Sequence, residues 1–135
     1  YIPNNLYIIG LMNTADRSLA LLDYALRRRF SFIDIEPAFE STNFKDYIME
    51  FTDSRLSRLI DTVIDINDDI ENDDSLGKGF KIGHSYFCNI ETGDITELYE
   101  IIECEIVPLL EEYWFDNLDK VENWTKKLKE ALINE

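Results

Sequence analysis

The sequence predicts an α/β start, the end of a parallel sheet with about two strands, followed by a mostly α-helical subdomain. The chain is then predominantly helical. Three observations carry this. Leu6-Tyr7-Ile8-Ile9-Gly10-Leu11-Met12 is a short, almost unbroken apolar run, the pattern of a strand buried on both faces. Phe30 to Ile35 reads as a second strand. After Pro37 the apolar residues fall at helical spacing instead. The boundary at Pro37 divides the chain into residues 1–36 and residues 37–135.

Between the two strands lies Ser18 to Arg29. Ser18 can cap a helix start. Leu19, Leu22, Tyr24, Ala25 and Leu26 give it an apolar side, and Arg27, Arg28 and Arg29 end it. Cations in a last helical turn suit the negative end of the helix dipole. Strand, helix and strand with short joints make a βαβ unit. A two-stranded sheet is marginal alone, so this unit is expected to belong to a larger sheet.

The second part reads as a series of helices. One is expected from Thr42 to about Phe51. The next carries Leu56, Leu59, Ile60, Val63, Ile64 and Ile70 at helical spacing, with Asp53 or Ser54 as its cap. Asn67-Asp68-Asp69 through Asp73-Asp74-Ser75 to Gly77-Lys78-Gly79 reads as a polar, acidic loop. The class of Ile82-Gly83-His84-Ser85-Tyr86-Phe87 is left open by its pattern. Asp94 with Glu97 is a capping-box-like start to a helix bearing Leu98, Ile102, Ile106, Leu109, Leu110 and Tyr113. Pro108 lacks the amide that would bond the Cys104 carbonyl, which predicts a kink. A last helix, capped by Asp116, is expected to turn Leu118, Val121, Trp124, Leu128 and Leu132 inward.

The formal net charge of -15 disfavours a direct grip on nucleic acid, because neutralising phosphates takes clustered Lys and Arg. Residues 1–36 hold four basic residues (Arg17, Arg27, Arg28, Arg29) against four acidic ones (Asp16, Asp23, Asp34, Glu36), so the excess lies in residues 37–135. A hydrophobic fraction of 45% can fill a core and is not that of a disordered chain. No run of about 18 apolar residues occurs, so no membrane span is expected. The spacing of Cys88 and Cys104 fits no zinc pattern. Both thiols are expected reduced and buried, in a cytoplasmic chain with no metal site.

Chemistry is expected first at Met12-Asn13-Thr14-Ala15-Asp16-Arg17-Ser18, directly after a buried strand, because sites in open α/β sheets form at the carboxyl ends of strands. Asn13 and Asp16 can orient a water or a phosphate oxygen there. They are equally well read as turn formers and helix caps. The second stretch is Asp23-Tyr24-Ala25-Leu26-Arg27-Arg28-Arg29-Phe30. Consecutive helical residues point about 100° apart, so three arginines cannot serve one local partner. One directed outward could reach a neighbouring subunit; the alternative is a solvated helix end.

These two blocks in this order resemble the McrB family of AAA+ GTPases. The similarity continues through Ile82-Gly83-His84-Ser85-Tyr86-Phe87 and Pro108-Leu109-Leu110-Glu111-Glu112-Tyr113-Trp114, and so covers most of the chain. The resemblance implies that residues 1–36 are the C-terminal part of an AAA+ core and residues 37–135 its helical lid. Asn13 then matches the sensor-1 residue, and Asp16 the aspartate that helps arrange the attacking water. Arg28 and Arg29 match the arginine-finger region that reaches a neighbour's nucleotide. His84 and Ser85 lie at a sensor-2-like position for cofactor contact, although no Arg is present there.

The resemblance also implies GTP and magnesium in the parent protein, ring assembly with other copies, a McrC-like nuclease partner, and modified-cytosine DNA recognised through a region absent here. No G-x-x-x-x-G-K-[ST] loop occurs in the chain, so this part is expected to bind no nucleotide and to be inactive alone. Two other readings stand beside it. One is a stand-alone acidic helical interaction module. The other is the same part of a different AAA+ ATPase.

Overall fold

The computed structural model describes residues 3–13, 15 and 28–133. The chain divides into two compact units, Tyr1–Asp34 and Ile35–Glu135.

In the first unit the expected strands are not found. Neither Leu6–Met12 nor Phe30–Ile35 forms a strand, and the described residues of the unit are almost all exposed. Tyr7 and Ile9 are each 90% accessible. The physical reason is the lack of partners: an apolar run of this kind is buried only when flanking strands and covering helices are present. The expected helix from Ser18 lies outside the described residues, apart from Arg28 and Arg29, which stand in a turn.

The second unit is helical. Helix α1 is Thr42–Met49, α2 Ser54–Glu71, α3 Ile95–Ile101, α4 Val107–Tyr113 and α5 Leu118–Ile133. Two 3-10 turns, Lys78–Phe80 and His84–Phe87, connect α2 to α3, and a π-helical turn, Ile102–Ile106, joins α3 to α4. Helices α2 and α5 pack along each other, and α3, the π turn and α4 close over α5. Leu56, Leu59, Val63, Ile66, Phe87, Leu98, Ile106 and Leu128 are fully buried between them.

The helix starts follow local chemistry. Ser41 Oγ accepts the Phe44 amide at 3.3 Å and starts α1. Asp53 accepts the Arg55 amide at 2.9 Å and starts α2. The Arg55 guanidinium, hydrogen-bonded to Asp53, holds that carboxyl below its ordinary range. Asp94 accepts the amides of Thr96 (2.9 Å) and Glu97 (3.0 Å) and starts α3. The reciprocal half of the box differs from expectation. The Glu97 carboxylate passes over the Asp94 amide to those of Glu91 (2.7 Å), Thr92 (2.9 Å) and Gly93 (2.8 Å). Those amides, Glu91 first, pull its pKa down to about 2. Gly93 makes this turn possible with a φ of 67°, and a Cβ there would stand 2.7 Å from the Phe51 ring.

Several expectations need correction. The run from Asn67 does not begin as a loop: α2, which carries Ile70 as expected, continues through it to Glu71, and Asn67 and Asp69 have tertiary partners instead of solvent. Pro108 is met by the π turn just before it, which widens the helix where the Cys104 carbonyl would lose its donor. Asn117, not Asp116, caps α5, its Oδ1 accepting the Lys120 amide at 3.2 Å. Leu118, the first residue of α5, lies ahead of the packed surface and is 62% exposed. Both thiols are exposed rather than buried. Cys88 ends a 3-10 turn, and Cys104 sits on the outer side of a π turn whose Ile102 and Ile106 face in.

The acidic segment after Asn67 is a clasp between α2 and the start of α5. The indole N–H of Trp114 donates to Asp73 at 2.9 Å, and that of Trp124 to Asp69 at 2.8 Å. The Lys120 ammonium lies 3.1 Å from Asp69, 3.2 Å from Asp73 and 4.1 Å from the Trp114 ring centroid. Both tryptophans are buried, so their N–H groups need these acceptors. The Ser75 hydroxyl and amide, together with the Trp114 indole, hold the Asp73 carboxyl far below its ordinary range.

Candidate functional site

The expected site residues fall in two sets, one in each unit. In the first unit, Asn13 is exposed and its Oδ1 accepts the Ala15 amide at 3.0 Å. Asn13 thus makes the local turn bond typical of Asx residues. Asp16 lies outside the described residues. Arg28 and Arg29 are exposed, as guanidinium groups that meet an external anion must be.

In the second unit, Gly83-His84-Ser85 opens the second 3-10 turn, and its two polar side chains diverge. Ser85 is exposed on an open groove of about 720 Å³ lined also by Tyr86, Asn89, Glu97, Glu100 and Glu105. Three carboxylates on one groove repel phosphate oxygens, so the groove does not suit a nucleotide. His84 takes another course. Its Nδ1 accepts the Ala38 backbone N–H at 3.0 Å. Its ring meets Phe39 edge-on at 6.2 Å between centroids and Phe44 at 5.5 Å. The bond fixes the tautomer: Nδ1 is the acceptor and any ring proton sits on Nε2.

Two further residues set the position of His84. Asn67, 5% exposed, is the one buried polar side chain among the described residues. Its Oδ1 accepts the Ile82 amide at 2.6 Å, and its Nδ2 donates to the Ile82 carbonyl at 2.9 Å. This double bond pattern imitates a strand partner for one residue of irregular chain. At the other end, Ala38 lies where the backbone passes from exposed Ile35 and Glu36 to buried Phe39. The signal for Asn67 was present in the sequence: it falls four residues after Val63 on the apolar stripe of α2. Nothing local marked Ala38, whose role depends on a partner 46 positions away.

No group of three or more His, Cys, Asp or Glu side chains among the described residues could hold a metal ion. No helix there is long and apolar enough to cross a membrane.

Comparison with known proteins matches residues 58–122 to the family model described as "McrB, alpha-helical lid domain". Those residues run from α2 into α5 and include the Asn67–Ile82 bonds, His84 and the Trp114–Asp73–Lys120 part of the clasp, with Trp124 just beyond them. The chain is also similar to the type IV methyl-directed restriction enzyme EcoKMcrB subunit of Escherichia coli strain K12. The two are 52% identical over 135 residues, which cover 95% of this chain and 29% of that protein. The chain therefore spans about three tenths of the length of its relative. The similarity extends well beyond the lid into the segment with Asn13, Arg28 and Arg29, and with the helical unit it supports reading this chain as a C-terminal part of a McrB-like protein.

Proposed function

We propose that this chain is the part of a McrB-like AAA+ GTPase subunit that supplies the sensor-1 asparagine, the arginine fingers and the helical lid. The parent drives a restriction endonuclease that cuts DNA carrying modified cytosine. The observation that carries this reading is 52% identity to a methyl-directed restriction subunit across nearly the whole chain. The apolar residues left exposed in the first unit support it, since Leu6–Leu11 and Phe30–Ile35 then pair with neighbouring strands of the parent's sheet.

In this reading GTP and magnesium are held by other parts of the parent, and GTP hydrolysis supplies the energy for a McrC-like nuclease partner. The residues here fit the nucleotide in one respect: exposed guanidinium groups match phosphate oxygens. Arg28 reaches the nucleotide of an adjacent subunit in a ring and stabilises charge on the transferred phosphoryl group, with Arg29 as its helper. Asn13 and Asp16 act within their own subunit and orient the attacking water. The Gly83-His84-Ser85 segment stands at the sensor-2-like position, but the carboxylate-lined groove favours a supporting role there over phosphate contact. Modified DNA is bound by another region, in keeping with the net charge of -15.

The test is Arg28→Ala in the full-length parent. GTP turnover should fall by about 10³–10⁵, the usual worth of a finger in phosphoryl transfer, while GTP binding is kept. Mixing with subunits that retain Arg28 but cannot bind nucleotide should restore turnover. Unchanged turnover, or failure of the mixture, would return the arginine cluster to a solvated helix end.

A further inference from the structure

The strongest feature that the proposed function leaves unused is a continuous run of contacts inside the lid. It begins in α2, where buried Asn67 bonds both backbone groups of Ile82. Ile82 is itself buried, and two residues later His84 begins the 3-10 turn. His84 Nδ1 then holds the Ala38 amide. Phe39, the next residue, is 6% exposed and packs on Phe44 at 5.6 Å and Phe87 at 6.3 Å between centroids. The backbone preceding it, Phe30 to Glu36, is exposed throughout. Pro37 restricts φ between these regions.

The Ala38 carbonyl accepts the Ser41 amide at 3.0 Å within the local turn, while the link from Ala38 to the longest helix runs through the His84 imidazole. The Lys78–Glu36 ion pair is the neighbouring tie, at 3.8 Å with both groups more than half exposed, and surface pairs of this kind contribute little.

We infer that His84 is a positioning residue of the motor: by holding the Ala38 amide it fixes the angle at which the chain enters the lid, and it touches no nucleotide. This rests on the GTPase reading above. A lid that closes over a reacting nucleotide must be placed to within about 1 Å, and a hinge transmits such placement only if the backbone on its far side is held. An Ala at position 84 leaves the Ala38 amide without its acceptor and leaves space between Phe39 and Phe44. The chain can then enter the lid at several angles.

The test uses the full-length parent with His84→Ala, His84→Asn and His84→Gln, because an Asn side-chain oxygen reaches the place of Nδ1 whereas that of Gln extends toward Nε2. The account expects kcat for GTP to fall about tenfold or more in His84→Ala with KM changed less than about twofold, and His84→Asn to recover most of the loss, with His84→Gln recovering less. Hydrogen exchange at the Ala38 amide should quicken in His84→Ala and slow again in His84→Asn. Three results would each overturn the inference: Ala38 exchange unaltered in His84→Ala, kcat retained although exchange quickens, or a rise in KM with kcat unchanged. The last would make the imidazole a nucleotide contact. A wild-type parent without GTP turnover would instead refute the GTPase reading, and the exchange measurement would still report whether His84 holds the entry.

Discussion

The first unit of this chain is richer in apolar residues than the second, yet the described residues of the two reach opposite outcomes. In the first, Tyr7, Ile9 and Leu11 stand about nine-tenths exposed. In the second, Leu56, Leu59, Val63, Phe87 and Leu128 are wholly buried. The difference lies in the range of the partners each pattern needs. An amphipathic helix buries one stripe, which another helix of the same segment can cover. A strand apolar on both faces needs ladders at its edges and layers above and below, and no described residue of the first unit supplies them.

The widest expected gap between the units is in the cost of losing an apolar side chain. Phe87→Ala should destabilise the chain by about 3–5 kcal/mol, the usual cost for a buried aromatic. Ile9→Ala in the same chain should change stability by less than about 0.5 kcal/mol. In the full parent the second substitution should become costly. Urea unfolding of both variants in both contexts would check this, and equal costs within the isolated chain would break the comparison.

The next effect concerns the polar clasp. Asp73→Ala should cost about 1–3 kcal/mol, because it leaves the buried Trp114 indole N–H without an acceptor. Asp74, one residue on, has no such role and should tolerate Ala. Intrinsic tryptophan fluorescence should report the change through Trp114.

This clasp marks a limit of what the sequence revealed. The helices of the second unit, the Asp53 and Asp94 caps and the departure from regular α-helix next to Pro108 were legible, because spacing and cap chemistry are local. The run from Asn67 to Ser75 read as an acidic loop because its partners, Trp114, Lys120 and Trp124, lie more than 40 positions away. The strands failed for a related reason: their pattern records an environment that the described residues do not provide. Of the candidate site, a shared role for Asn13 and the arginine block is implied by the resemblance alone. The role of His84 turned on Ala38, which has no side-chain chemistry to announce it.

Acid should separate the units further. The folded pKa of Glu97 is lowered to about 2, so its stabilisation is complete above its unfolded value, roughly 4.3. It is lost as pH falls through that window toward 2. Asp73, also lowered, acts in the same direction. The lid should therefore weaken steadily below about pH 4.3. Glu97→Gln should be less stable at neutral pH and show a shallower loss in acid. Thermal melts between neutral pH and pH 2 would show it, and identical slopes in both proteins would count against the capping account.

The smallest expected effect is at Leu118. Its 62% exposure predicts that Leu118→Ser shifts stability by less than about 0.5 kcal/mol, although its place in the sequence suggests a core residue. A larger loss would mean that α5 begins within the packed surface rather than ahead of it.

The central claim is that the helical unit holds itself together. Thermal unfolding of residues 35–135 beside the full 135-residue chain tests this most directly. The account predicts one cooperative transition for the shorter polypeptide, with stability within about 1 kcal/mol of the longer one, or about 4–8 °C in Tm for a domain of this size. A broad, non-cooperative melt of residues 35–135, or a larger fall in Tm, would contradict it.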